Sequence, residues 1–296
     1  MQIVIAGATG FLGRSWSQAL AGQGHKVIRL VRREPSSSDE VRWDPQGGTV
    51  DQAVIDTADV VANLAGAPLA HFPWTDAYRR EFLASRVDTT RTLAEAIAGS
   101  DRKPVLLAQS GIAGYGDRGN EVITEDTPVD ADTFMADVVR RWESATAPAQ
   151  EAGARVVVMR TSVVLDRHGG ALKAMLTPFR LGVGGPIGNG RQYFATISLH
   201  DWIGAATYLA LNDDLSGPFN LSGPDPSTNA EFTKELGRLL GRPTALRVPA
   251  FPLRRVAGPI GGEVLASQRV EPTRLLEAGY AFAHNDVTDR LTAALR

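Results

Sequence analysis

The sequence contains no cysteine. That absence removes disulfides, thiolate metal sites and cysteine nucleophiles together, and it fits a reducing compartment. Long apolar runs are missing too: nothing approaches the roughly 18 consecutive apolar residues that a membrane-spanning helix needs. Nor is there a basic tail or block. With 31 Lys and Arg against 33 Asp and Glu, the formal charge is -2, so neither nucleic acid nor an anionic membrane is expected as the main partner. The five histidines are scattered singly, without metal-ligand spacing, and no metal site is expected. The N-terminal run Met1-Gln2-Ile3-Val4-Ile5-Ala6 reads as a buried strand without a charged leader, so a cytoplasmic location is expected.

What is present is the composition of an ordinary globular enzyme, 43% hydrophobic and 22% charged over 296 residues. Short β-branched runs recur at Ile3 to Ala6, Val27 to Val31, Val60 to Leu64, Val105 to Gln109 and Val156 to Met159. Nearly continuous apolar runs of this kind suit strands covered on both faces. Helical patterns lie between them, over Phe11 to Gln23, Thr75 to Ala98 and Ala131 to Glu151, with Gly24, Gly99 and Gly153 as stop signals. The alternation predicts an α/β, Rossmann-type doubly wound parallel sheet.

After about residue 165 the pattern becomes glycine-punctuated. Helices are expected near Asp201 to Leu211, with Asp201 as N-cap, then Asn229 to Leu240 and Pro252 to Ser267, with a short strand at Phe219 to Leu221. The division expected is a core over 1–165 and a smaller, mostly helical, substrate-facing lobe over 166–296. The two interleave rather than stand apart.

Gly7-Ala8-Thr9-Gly10-Phe11-Leu12-Gly13 follows a strand and opens a helix. Gly7 permits the tight turn, Gly10 lets backbone approach a pyrophosphate, and Gly13 lets helix and strand pack closely. The pyrophosphate is then expected on free N–H groups at the helix start. The second strand ends in Arg32-Arg33 rather than in the acidic residue that bonds an NAD ribose. Guanidinium groups there suit a 2′-phosphate, which predicts NADP(H). Asn63-Leu64-Ala65-Gly66 ends the third main strand and offers small residues for the cofactor ribose.

These residues, with Ser110 at a strand end, resemble the extended short-chain dehydrogenase/reductases, the NAD-dependent epimerase/dehydratase class. The chain is most similar to an atypical subgroup labelled nucleoside-diphosphate-sugar epimerase-like. The resemblance rests on Trp43-Asp44-Pro45, Ser85-Arg86-Val87-Asp88-Thr89-Thr90, Trp142-Glu143, Pro178-Phe179-Arg180-Leu181-Gly182, Gly184-Gly185-Pro186-Ile187-Gly188, Thr228-Asn229-Ala230-Glu231-Phe232 and Leu240-Gly241-Arg242-Pro243. It covers essentially the whole chain, including a segment from about residue 250 that the subgroup carries as a small domain of unknown role.

Ordinary members of the superfamily pair a tyrosine with a lysine four residues later. No such pair exists: four beyond Tyr78, Tyr115, Tyr193, Tyr208 and Tyr280 stand Phe82, Gly119, Ile197, Asn212 and His284. Anchored on Glu143, the pair falls near Met135 and Val139, which carry no proton. The subgroup keeps the serine, here Ser110, and has an arginine, here Arg86, expected to approach the cofactor or an anionic substrate, with Glu81 orienting it or touching the nicotinamide side of the cleft. Tyr115 is the one nearby phenol, and Arg160 ends the next strand. Tyr115 is a candidate to replace the missing acid/base, and Arg160 is a candidate to contact cofactor or substrate.

Two functions from different classes stay open. One is an oxidoreductase or epimerase-like enzyme acting on a small molecule through NADP(H), with Ser110 and Tyr115 polarising a carbonyl oxygen. The other is a non-catalytic NADP(H)-sensing or scaffolding module. The helices Thr75 to Ala98 and Ala131 to Glu151 are the faces on which a homodimer would form, and their exposed residues leave that open.

Overall fold

A computed structural model of the chain describes residues 1–249 and 259–296. Eight strands form one sheet in the order β11-β8-β6-β5-β1-β2-β3-β4. They are β1 (Gln2–Ala6), β2 (Lys26–Val31), β3 (Glu40–Asp44), β4 (Thr49–Val50), β5 (Val60–Asn63), β6 (Val105–Gly111), β8 (Val156–Thr161) and β11 (Gly217–Leu221). All neighbours run parallel except β3 and β4. The centre is apolar on both faces, with Ile3, Val4, Ile5, Val60, Val61 and Leu107 at 0% exposure. That is why these strands read as unbroken β-branched runs. Chain order reverses between β1 and β5, and the ligand crevice of such sheets lies beyond the strand ends at that reversal.

One face is covered by α1 (Phe11–Gly22) and α7 (Leu199–Leu211). Trp16 meets Trp202 edge-to-face at 6.1 Å, and its indole N–H donates to Thr207 Oγ1. The other face is covered by α3 (Asp76–Gly99), whose Leu93, Ala94 and Ile97 pack with Val61 and Leu106. A smaller apolar cluster joins α6 (Gly170–Arg180), α8 (Asn229–Leu240) and a C-terminal helix over Val287–Leu295 through Leu172, Phe179, Phe232, Leu236 and Leu291. The chain after residue 165 therefore returns to the main sheet through α7 and β11 as well as forming this outer cluster.

Several local readings are corrected. The helical pattern over 131–151 splits into α4 (Phe134–Ser144) and α5 (Ala147–Glu151). Thr133 caps α4, and Pro148 sits in the first turn of α5, where its missing N–H costs nothing. The glycine-punctuated region holds α6, because Leu172, Leu176 and Phe179 recur at helical spacing once Gly170 has made the turn at φ +61°. The cap of α7 is Ser198, not Asp201: Ser198 Oγ accepts the Asp201 N–H, and Asp201 turns inward. Of the helix expected at 252–267, residues 259–265 are helical, and 250–258 lie outside the described residues. The sequence reading missed β3, β4 and a short strand pair, β9 (Val163–Leu165) with β10 (Thr196–Ser198).

Candidate cofactor and active site

The glycine turn is tight enough to exclude side chains. Gly7 has φ +81°, and a Cβ there would lie 2.6 Å from the Leu64 carbonyl and 2.7 Å from the Ala65 nitrogen. A Cβ on Gly13 would lie 2.3 Å from Gly7 O. Glycine is therefore required at both positions by contact with neighbouring backbone. No side chain caps the start of α1, so its first N–H groups have no partner within the helix and face outward with the positive end of the dipole. Thr9 and Gly10 are exposed. The side chains of Phe11 and Leu12 pack against the core instead, and a Cβ on Gly169 would lie 2.2 Å from the Phe11 ring. What this turn offers a ligand is backbone.

The two arginines after β2 have different fates. Arg33 grips Glu40 with both terminal nitrogens, at 2.9 and 2.7 Å. Glu40 also accepts from the Ser36 N–H and hydroxyl. Those bonds, the Arg33 pair first, hold its carboxyl down to about 2. Arg33 is thus tied into the 33–40 loop. Arg32 is exposed, and no carboxylate among the described residues lies within ion-pair distance of it.

At the end of β5, Asn63 is fully buried. Its amide donates to Thr89 and Thr90 on α3, and its carbonyl accepts the Ala65 N–H, so it fastens the turn from inside. Gly66 lies against Arg86, with a would-be Cβ 3.2 Å from the guanidinium carbon. Arg86 donates to the Phe82 and Ala67 carbonyls and stacks on Phe82 at 3.5 Å. Burial lowers its pKa to about 10, still charged at neutral pH. It forms no ion pair with Glu81 or Asp88 among the described residues, and Glu81 is exposed. The expectation that Glu81 orients Arg86 gives way to backbone carbonyls in that role.

Ser110, Arg160 and Tyr115 converge, and the residue that joins them is Glu143. Ser110 Oγ donates to Glu143 Oε1 at 2.7 Å, while Arg160 donates to both oxygens of that carboxylate at 2.9 and 2.8 Å. Arg160 Nη1 also donates to Tyr115 Oη at 3.0 Å, and Tyr115 donates to Asn220 Oδ1 at 2.8 Å. Tyr115 is 1% exposed, and burial pushes its phenol up to about 12. A phenol so held is tied into the network rather than free on a loop. Met135 and Val139, where the superfamily pair falls, are buried apolar residues.

Two further groups escaped the sequence reading. Glu263 sits on a helix over Pro259–Leu265, and burial raises its carboxyl to about 7. The next residues tie that helix to the loop after β6, since Gln268 donates to the Ile112 and Gly116 carbonyls. His200, Asp201 and His284 also cluster, from positions too distant in sequence to show a metal-ligand spacing. The Asp201 carboxylate there already accepts from Ser198 Oγ and from the Ala283 and His284 N–H groups.

The fold and these strand-end features are those of a nicotinamide-dinucleotide-type short-chain dehydrogenase/reductase. A family model described as the NAD dependent epimerase/dehydratase family matches residues 3–206, and a domain of unknown function, DUF1731, matches 248–294. The chain belongs to the NAD dependent epimerase/dehydratase family. It is 39% identical to epimerase family protein Mb2239 of Mycobacterium bovis over 290 residues, covering 98% of this chain and 96% of that protein. The crystal structure of human epimerase family protein SDR39U1 (isoform 2) with NADPH superposes with TM-score 0.91 at 32% identity, covering 100% of this chain and 99% of that one. A nucleoside-diphosphate sugar epimerase from Corynebacterium glutamicum gives TM-score 0.81 at 33% identity, covering 100% of this chain and 58% of that one.

Proposed function

We propose that this chain is an NADP(H)-dependent oxidoreductase or epimerase-like enzyme acting on a small molecule. The single observation that carries the cofactor is the pairing of a cradle no Cβ could enter with Arg32, exposed and free of any described carboxylate. NADPH in the similar human structure supports the same reading. Gly7, Gly10 and Gly13 with the N–H groups of Phe11 and Leu12 would hold the pyrophosphate. Arg32 would take the 2′-phosphate, Leu64, Ala65 and Gly66 would border the ribose, and Arg86 would approach from α3. A bound nicotinamide supplies hydride chemistry. The protein's own polar side chains at the ends of β6 and β8 are Ser110 and Arg160, joined by the Glu143 carboxylate from α4.

Titration of the purified chain with NADPH, NADP and NADH by fluorescence or calorimetry tests this. Tight NADP(H) binding, with a preference over NADH that Arg32→Ala removes, is the expected result. Absence of binding by all three at sub-millimolar concentration would rule the reading out. Met135 and Val139 favour a second reading, a cofactor-sensing or scaffolding module, since apolar side chains fill the usual acid–base position. NADPH binding without turnover of any carbonyl or nucleotide-sugar substrate would support that alternative. The outer faces of α3 and α4 form a groove of about 570 Å³ lined by Arg80, Asp88, Arg91, Asp137, Arg140 and Arg141. Its mixed charges suit a homodimer related by a two-fold axis, which light scattering after size exclusion would test.

A further inference from the structure

One proton decides what Ser110 can do. Its Oγ lies 2.7 Å from Glu143 Oε1. Both oxygens of that carboxylate accept from Arg160, through Nε at 2.9 Å and Nη2 at 2.8 Å. With both oxygens accepting from a guanidinium, the carboxylate acts only as an acceptor. The serine must be the donor, and its single O–H is committed to Glu143. Arg160 is itself anchored, because Nη1 bonds the Tyr115 hydroxyl at 3.0 Å and the Glu125 carbonyl at 3.2 Å. What remains on Ser110 Oγ for a ligand is lone pairs.

The geometry points to a ligand that presents a hydrogen-bond donor at Ser110: a hydroxyl-bearing small molecule, with Glu143 as the positioning residue that sets this preference through the serine. The inference rests on the nicotinamide-dependent reading of the site. It replaces the expectation that Ser110 polarises a carbonyl, because polarising a carbonyl needs the serine proton free. The Glu143 side chain is 18% exposed against 10% for Arg160, so the carboxylate is the more open side of the pair. Ser110 is 2% exposed as a whole, so its Oγ is screened from bulk water. A ketone oxygen in that place would set lone pairs against lone pairs, and an unpaired acceptor in a buried site is penalised.

The test uses the full chain loaded with NADPH and ligand-observed saturation-transfer NMR with matched probes, cyclohexanol against cyclohexanone and glycerol against dihydroxyacetone. The wild-type protein should favour the alcohol of each pair by about tenfold. In Glu143→Ala the serine loses its acceptor and its proton turns outward, so the preference should move to the ketone. Glu143→Asp should keep the sign. Ser110→Ala, a one-atom deletion that leaves the Arg160–Glu143 pair intact, should abolish the discrimination and serves if Glu143→Ala does not fold. NADPH affinity, followed by fluorescence in the same samples, separates the two readings. A chain that binds no NADPH defeats the cofactor reading. A chain that binds NADPH yet ignores the probes, prefers the ketones, or keeps its alcohol preference in Glu143→Ala or Ser110→Ala overturns the inference about Ser110.

Discussion

The end of β1 and the ends of β6 and β8 lie along the same edge of one sheet, and they are built by opposite means. At β1 the backbone is the instrument. Gly7 and Gly13 are glycine because any Cβ would strike neighbouring main chain, and the helix start is left without a side-chain cap. At β6 and β8 side chains are the instrument. Ser110, Glu143, Arg160, Tyr115 and Asn220 satisfy one another in a chain of bonds from 2.7 to 3.0 Å. A backbone site needs consecutive residues, so it leaves a motif. A side-chain site needs only proximity in space, so it leaves none.

The sharpest test of that contrast is Arg160→Met. It would strand the Glu143 carboxylate without its ion-pair partner, at an expected cost of about 3–5 kcal/mol in urea unfolding, while NADPH affinity stays near wild type. A loss below about 1 kcal/mol would mean the network is a loosely solvated pair rather than a strut. Next comes Gly7→Ala, which forces a Cβ into the Leu64 carbonyl at a left-handed φ. Roughly 2–3 kcal/mol of stability should go, and NADPH binding with it. Retained NADPH affinity would show that the turn is merely structural.

A smaller effect separates the adjacent arginines. Arg32→Ala should lower the preference for NADPH over NADH by about tenfold, whereas Arg33→Ala should leave that preference unchanged, because Arg33 is engaged with Glu40. Equal losses in both variants would blur the distinction drawn between them. The smallest effect concerns acid. The Glu40 carboxyl is held at about 2 in the folded chain against an ordinary 4.5. Its stabilising contribution is therefore complete above the ordinary value and disappears as pH falls toward the lower one. Glu40→Gln should flatten the acid limb of a stability-versus-pH curve in that window, and an unchanged limb would count against the loop's dependence on this carboxylate.

Much of this was legible beforehand. The β-branched runs of β1, β2, β5, β6 and β8 marked the sheet, because burial on both faces demands apolar residues at every position. The cradle was legible for the same kind of reason, local and steric. That no tyrosine has a lysine four residues later was also plain, and Met135 and Val139 are buried. Less could be read where partners come from afar. Nothing near Asp201 announces that its carboxylate holds the turn at Ala283 and His284. Glu143 served as a landmark in the sequence and became the hub of the site only when Ser110 and Arg160 arrived beside it.

The doubly wound sheet, the glycine cradle and the basic end of β2 could all be read from the chain alone. Each is written in neighbouring residues, through periodicity or sterics. Folding set which of Arg32 and Arg33 stays unpaired among the described residues, buried Tyr115, and turned the Ser110 proton toward Glu143. Those outcomes depend on how hydrogen-bond donors and acceptors far apart in the chain satisfy one another once buried, and burial is a property of the fold rather than of any segment.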